Sequence, residues 1–164
     1  MNLLVLEPGE VGARLPRSDR RVEHVRKILR KKPGDSLAAG LAGLAGGPAP
    51  LGLATVEELD ERGARFSFVA EREAPALRPL VLLLGLPRPI QANRILKDLA
   101  SLGLSRVALC ATELGERSYL DSDLYAKGEF RRPLIEGAEQ AGNPRLPEVL
   151  LARSLAAALE LLDT

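Results

Sequence analysis

The sequence changes its hydrophobic pattern once, and prolines mark the change. Residues 74–79 read Ala-Pro-Ala-Leu-Arg-Pro, and two prolines in six residues exclude a continuous helix or a central strand there. Before this point, short apolar runs at residues 3–6, 36–41, 51–56 and 65–70 are separated by turn residues, which predicts a small β-barrel or sandwich. Beyond it the elements alternate in type. Residues 80–86 form an unbroken apolar run of strand length, and Ile95, Leu96, Leu99 and Leu102 follow at helical spacing within 90–102. Residues 106–111 repeat the buried strand, and 124–141, 148–151 and 154–162 read as helix, strand and helix. A β-α-β-α-β-α order predicts a mostly parallel sheet with helices packed on it. The expectation is an α+β chain of two domains, residues 1–73 and 74–164.

Composition narrows the chemistry. With 46% hydrophobic and 27% charged residues in 164, the chain can bury a core, and with five aromatics that core must be aliphatic. One cysteine and one histidine exclude a disulfide framework and a multi-cysteine zinc site. Cys110 ends an apolar strand and reads as a buried small hydrophobe. No run approaches the ~20 apolar residues of a membrane span, and the N-terminus lacks the pattern of a signal peptide, so the chain reads as cytoplasmic. The glycines of residues 40–47 precede no helix pattern, which argues against a nucleotide-binding loop and for a hairpin loop.

Charge is concentrated in one place. Residues 14–32 hold nine Lys or Arg and two acids, a local balance of +7, although the whole chain carries only +1. Ser18 is a candidate N-cap, Val22, Val25, Ile28 and Leu29 recur at helical spacing, and Pro33-Gly34-Asp35 stops the helix and turns the chain. With the apolar arc inward, Arg20, Lys27, Arg30 and Lys31, with His24 beside them, are expected on the solvent face. Such a stripe suits a phosphate backbone, and it also suits a surface that merely keeps the chain soluble. The segment has no aromatic for base stacking.

The run Arg21-Val22-Glu23-His24-Val25-Arg26-Lys27-Ile28-Leu29-Arg30, followed by Pro33-Gly34-Asp35, resembles the opening signature of the RsmE family of 16S ribosomal RNA (uracil-N3) methyltransferases, in the SPOUT superfamily. The second half carries matching stretches in family order. They are Arg88 and Arg94 flanking Ile95-Leu96-Lys97, then Leu102-Gly103, Glu116-Arg117-Ser118-Tyr119, and Glu136-Gly137-Ala138-Glu139-Gln140 leading to Arg145-Leu146-Pro147-Glu148-Val149. The resemblance implies an N-terminal PUA-like β-barrel and part of a SPOUT-type α/β domain of the trefoil-knot kind. It implies S-adenosylmethionine-dependent methylation of N3 of a uridine in 16S ribosomal RNA of the small subunit. It also implies a cytoplasmic homodimer formed through the SPOUT domain, with no metal and no membrane.

Under this resemblance the expected RNA contacts are Arg20, Arg21, His24, Lys27, Arg30, Arg88, Arg94, Arg117 and Gln140. Arg88, Arg94 and Arg117 would bring positive charge to a flipped base or its phosphates, and Gln140 would meet a base edge. Glu139 and Gln140 also read as a polar helical pair that satisfies nearby backbone groups. The chain departs from the family pattern at Asp98 and Ser101, where Lys and Glu are usual, and at Asn143-Pro144-Arg145, where basic residues are thinned. The family's Gly-Pro-Glu-Gly-Gly and Leu-Arg-x-Glu-Thr segments, which form the knot and bind the cofactor, do not occur in these 164 residues. No cofactor-binding residue is therefore expected here, and the catalytic residues are not identified. Two readings stay open: part of a methylating enzyme, or a non-catalytic RNA-binding remnant or fragment of one.

Overall fold

The computed structural model describes residues 1–44 and 46–162, and the side chain of Arg117 lies outside the described set. The first sheet contains β1 (Leu4–Leu6), β2 (Arg14–Pro16), β3 (Ser36–Leu41), β5 (Pro50–Asp60) and β6 (Gly63–Glu73), in the order β1-β3-β5-β6-β2. Only the β1–β3 pairing is parallel. This sheet is open, with β1 and β2 as its edges, so the closed barrel expected from the sequence is not found. A side chain explains part of the opening: Arg21 Nη1 donates to the Val5 carbonyl at 2.9 Å, where a neighbouring strand would otherwise donate.

Between β2 and β3 a short α1 (Arg20–Glu23) runs directly into a π-helical turn, His24–Ile28. Asp19, rather than the expected Ser18, caps it, with its carboxylate accepting from the Arg21 N–H at 2.8 Å. The expected loop at 40–47 contains β4 (Gly43–Leu44), which pairs in parallel with β9 (Arg145–Leu146); Ala45 lies outside the described residues.

The second sheet is wholly parallel in the order β10-β8-β7, from β7 (Arg78–Gly85), β8 (Leu104–Cys110) and β10 (Glu148–Ala152). Its helices are α2 (Pro89–Leu102), α3 (Asp123–Ala126), α4 (Arg131–Ala141) and α5 (Leu155–Leu162). The single helix expected over 124–141 is two, because Gly128 turns the chain at φ +69° and Pro133 suits only the first turn of a helix. Among the described residues no helix is long and apolar enough to cross a membrane.

Both faces of β1 are buried, and this ties the two sheets together. Leu4 and Leu6 enter a core with Leu15, Val22, Val25, Val56 and Phe66. Leu3 and Val5 enter a second core with Leu51, Leu96, Leu109, Leu134 and Leu146. A strand covered on both sides reads as a continuous apolar run, and Leu3-Leu4-Val5-Leu6 is one. Cys110 is buried with Ala152 and Ala158 beneath α5.

Candidate nucleic-acid interface

The π-turn re-aims the end of the basic helix. Leu29 N–H bonds the His24 carbonyl at 3.0 Å and Lys31 N–H the Val25 carbonyl at 3.1 Å, wider spans than the four-residue step of an α-helix. Each residue of such a turn advances by less than the ~100° of an α-helix, so the apolar arc breaks. Val22 and Val25 are buried, whereas Ile28 and Leu29 are 68% and 39% exposed. The expected burial of all four is thereby corrected. Arg30 takes φ +51°, and Lys32 N–H donates to Asp35 at 2.8 Å. Gly34 N–H and the Asp35 carbonyl then bond Val56 on β5, which pins the tip to the sheet.

Few of the nine cations are free. Arg14 pairs with Glu58 and Asp60, Arg17 and Arg26 both pair with Glu61, and Lys27 meets Glu23 at 2.5 Å. Arg21, expected to contact RNA, is buried instead. Its guanidinium makes two 2.7 Å bonds to Glu10, bonds Asp19 at 2.8 and 3.0 Å, and donates to the Val5 carbonyl. Burial disfavours its charge, but these hydrogen bonds outweigh that and raise its pKa further. Arg20, expected on the solvent face, turns to the second sheet's helices. Its Nη2 lies 2.5 Å from Glu139 Oε2, off the line of a hydrogen bond, and its Nε is 3.3 Å from Glu136. Glu139 is buried on α4, and burial pushes its carboxyl up against the opposing effect of Arg20.

His24 is half-buried; burial, then the chain's N-terminal charge and Arg20, lower its pKa. A neutral imidazole adds no charge to the patch. Among the described residues Arg30, Lys31 and Lys32 make no salt bridge, and Lys27 has only an exposed one, which is weak.

The expected contacts of the second half lie elsewhere. Arg88 is exposed at the N-terminal end of α2, and Arg94, 89% exposed in its side chain, stands nearly two turns on, 3.9 Å from Asp98. Gln140 has an exposed side chain, while its carbonyl accepts from Asn2 Nδ2 at 2.8 Å. Arg117 lies outside the described side chains. Arg94 shares an open cleft of about 1130 Å³ with Asn93, Lys97, Arg131, Arg132 and Glu136. Arg131 and Arg132 also border a second cleft of about 420 Å³ beside Arg20 and Arg21, so the two clefts adjoin along the seam between the sheets. Sequence reasoning missed Lys97, Arg131 and Arg132. The glycine at 128 and the proline at 133 were the signal that a helix begins at Arg131.

The stretch 136–145 is mostly a joint. The Glu139 carbonyl accepts from Asn2 and Leu3 N–H, Asn143 Nδ2 reaches the Pro75 carbonyl, and Arg145 reaches Glu73, Ala74 and Gly47. Arg131 forks onto Glu7 with bonds of 2.6 and 2.8 Å across the same seam.

An open β layer joined to a parallel α/β layer, with cations on the tip and along the seam, defines an α+β protein. The family model for the RNA methyltransferase domain matches residues 73–164. The chain belongs to the family of proteins with this RNA methyltransferase domain. It is 40% identical over 158 residues to ribosomal RNA small subunit methyltransferase E of Treponema pallidum, covering 94% of this chain and 58% of that protein. The fold is similar to a probable rRNA methyltransferase of Porphyromonas gingivalis, with TM-score 0.66, 18% identity, and coverage of 95% of this chain and 62% of that one. It is also similar to the Neisseria gonorrhoeae ribosomal RNA small subunit methyltransferase E bound to S-adenosyl methionine, with TM-score 0.61, 21% identity, and coverage of 93% and 63%. The chain thus spans about three-fifths of the length of these relatives.

Proposed function

We propose that this chain supplies the RNA grip and the first part of the methyl-transferring domain of an enzyme that methylates N3 of a uridine in 16S ribosomal RNA. In this reading residues 1–73 are a PUA-like RNA-binding unit and residues 74–164 the beginning of a SPOUT-type domain. The complete protein uses S-adenosylmethionine and works in the cytoplasm as a homodimer. Lys27, Arg30, Lys31 and Lys32 hold phosphates at the tip. Arg88 and Arg94 carry the contacts to the α2 end of the parallel sheet, with Lys97 and Arg132, both paired with Glu136, beside them, and Gln140 is exposed near the seam.

Open sheets of this type place ligands beyond the C-terminal ends of their strands, and α2 starts there, directly after β7. A methyl donor of nucleoside type needs an enclosed, largely apolar pocket with backbone donors. The two seam clefts are open, and more than half of their lining residues are charged, so neither fits that pocket and no step is assigned to it here. What these residues do is bind and orient RNA: phosphate contacts fix register without reading sequence.

The observation that carries the reading is the set of cations on a tip bonded to β5, of which Arg30, Lys31 and Lys32 make no salt bridge among the described residues and Lys27 only an exposed one. Filter binding of the chain to 16S ribosomal RNA over a salt series tests it. With four phosphates engaged at about 0.7 counterions each, log affinity falls against log salt with a slope of about −3, or about fiftyfold between 50 and 200 mM. A flat salt response would contradict the phosphate grip.

A further inference from the structure

We propose that the tip formed by Ile28, Leu29 and Arg30 is an apolar and cationic wedge that lies against unstacked bases of the bound RNA, while its neighbours hold the phosphates. This rests on the RNA reading above and extends it from phosphates to bases. In a regular α-helix Ile28 and Leu29 would follow Val22 and Val25 into the core. The π-turn delivers them to solvent instead, Ile28 at 68% exposure and Leu29 at 39%. Arg30 holds a left-handed backbone at φ +51° that glycine would adopt without cost. A π-turn and a strained non-glycine residue side by side are features that folds retain at working sites.

The surroundings define the partner. Ile28 and Leu29 stand in the chain among Lys27, Arg30, Lys31 and Lys32, and the neighbouring acids are engaged, Glu23 with Lys27, Asp35 with the Lys32 backbone and Glu61 with Arg26. An apolar side chain ringed by cations suits a partner whose apolar surface is itself ringed by anions. Unpaired nucleotides have that character, with base faces flanked by phosphates, and aliphatic side chains serve as wedges between bases in other nucleic-acid complexes. The backbone bonds from Gly34 and Asp35 to Val56 fix the tip, so little ordering is needed on binding.

Two variants of the full 164-residue chain test the wedge, with 16S ribosomal RNA as probe and heparin as a polyanion that has no bases. Ile28→Ser is expected to weaken RNA binding about fivefold, with salt slope, heparin binding and melting temperature unchanged. Arg30→Gly is expected to weaken both RNA and heparin binding and to make the salt slope shallower by about 0.7, with an equal or higher melting temperature because the strain is gone. If wild-type chain binds RNA with the expected salt dependence and Ile28→Ser binds equally well, the wedge is overturned and the grip stands. Equal losses on RNA and heparin for Ile28→Ser would overturn it too. Absence of salt-dependent RNA binding by the wild type would overturn the grip itself.

Discussion

Arg21→Ala is expected to cost about 3–5 kcal/mol of stability, the penalty of removing one partner from a buried ion cluster, or on the order of 10 °C in melting temperature for a chain of this size. The loss comes from what the arginine leaves behind. Glu10 and Asp19 would face each other without a cation, and the Val5 carbonyl on the edge of β1 would lose its donor. The pH dependence separates this from a simple cavity. Burial raises the pKa of both carboxyls, but the Arg21 hydrogen bonds outweigh it and the net shift is downward. The stability they contribute is therefore present above the ordinary carboxylate range and is lost as pH falls through their lowered folded values. In Arg21→Ala the guanidinium's lowering is gone while burial and the backbone bonds to both carboxylates remain, so acid relieves the variant. Melting curves of both proteins from neutral to acid pH should show a gap that is widest near neutrality and narrows on acidification. A constant gap would mean that packing alone is lost, and no gap would return Arg21 to the surface.

Gly137→Ala is the second large effect, expected at about 3 kcal/mol of destabilisation from overpacking. Helix propensity alone predicts the opposite, a gain of about 1 kcal/mol for alanine over glycine inside a helix. The sign is decided by the crossing of α4 on α2. A Cβ at residue 137 would stand 2.2 Å from the Lys97 carbonyl oxygen, 2.7 Å from the Ala100 Cβ and 3.0 Å from the Ser101 N. Two of these are backbone atoms of α2, so relief requires the helices to separate and the core of Leu96, Ala100, Leu134 and Ala138 to open. Urea unfolding of the variant gives the sign directly, and an unchanged or higher midpoint would contradict the close crossing. The same clash explains why a glycine stands in the middle of an otherwise regular helix in the Glu136-Gly137-Ala138-Glu139-Gln140 stretch.

What could be read from the sequence was what local spacing encodes. The parallel sheet followed from the continuous apolar runs at 80–86 and 106–111, but only β8 is buried as such a run implies; β7 is an edge strand with Leu80 52% and Val81 50% exposed, which corrects the expectation that both of its faces are covered. The Pro33-Gly34-Asp35 turn followed from the chemistry of its residues. The π-turn did not, since Val22, Val25, Ile28 and Leu29 fit a regular amphipathic helix and no residue in His24–Ile28 demands a wider turn. Nor did β2, three residues long and ending in proline inside the cationic run. The fate of the charges was least legible. The +7 count treats neighbours in sequence as neighbours in space, whereas Arg20 is neutralised by Glu139, 119 residues later, and Arg17 and Arg26 by Glu61. The stretch at 136–145 was recognisable as a family motif, yet its contacts mainly hold the two sheets together.

We propose above that this chain serves the methylation of a uridine in small-subunit ribosomal RNA. Nucleoside mass spectrometry of 16S ribosomal RNA from cells in which its gene is disrupted tests that most directly. The account predicts that N3-methyluridine disappears and returns when the coding sequence is restored, and N3-methyluridine at its normal level in the disrupted cells would contradict it.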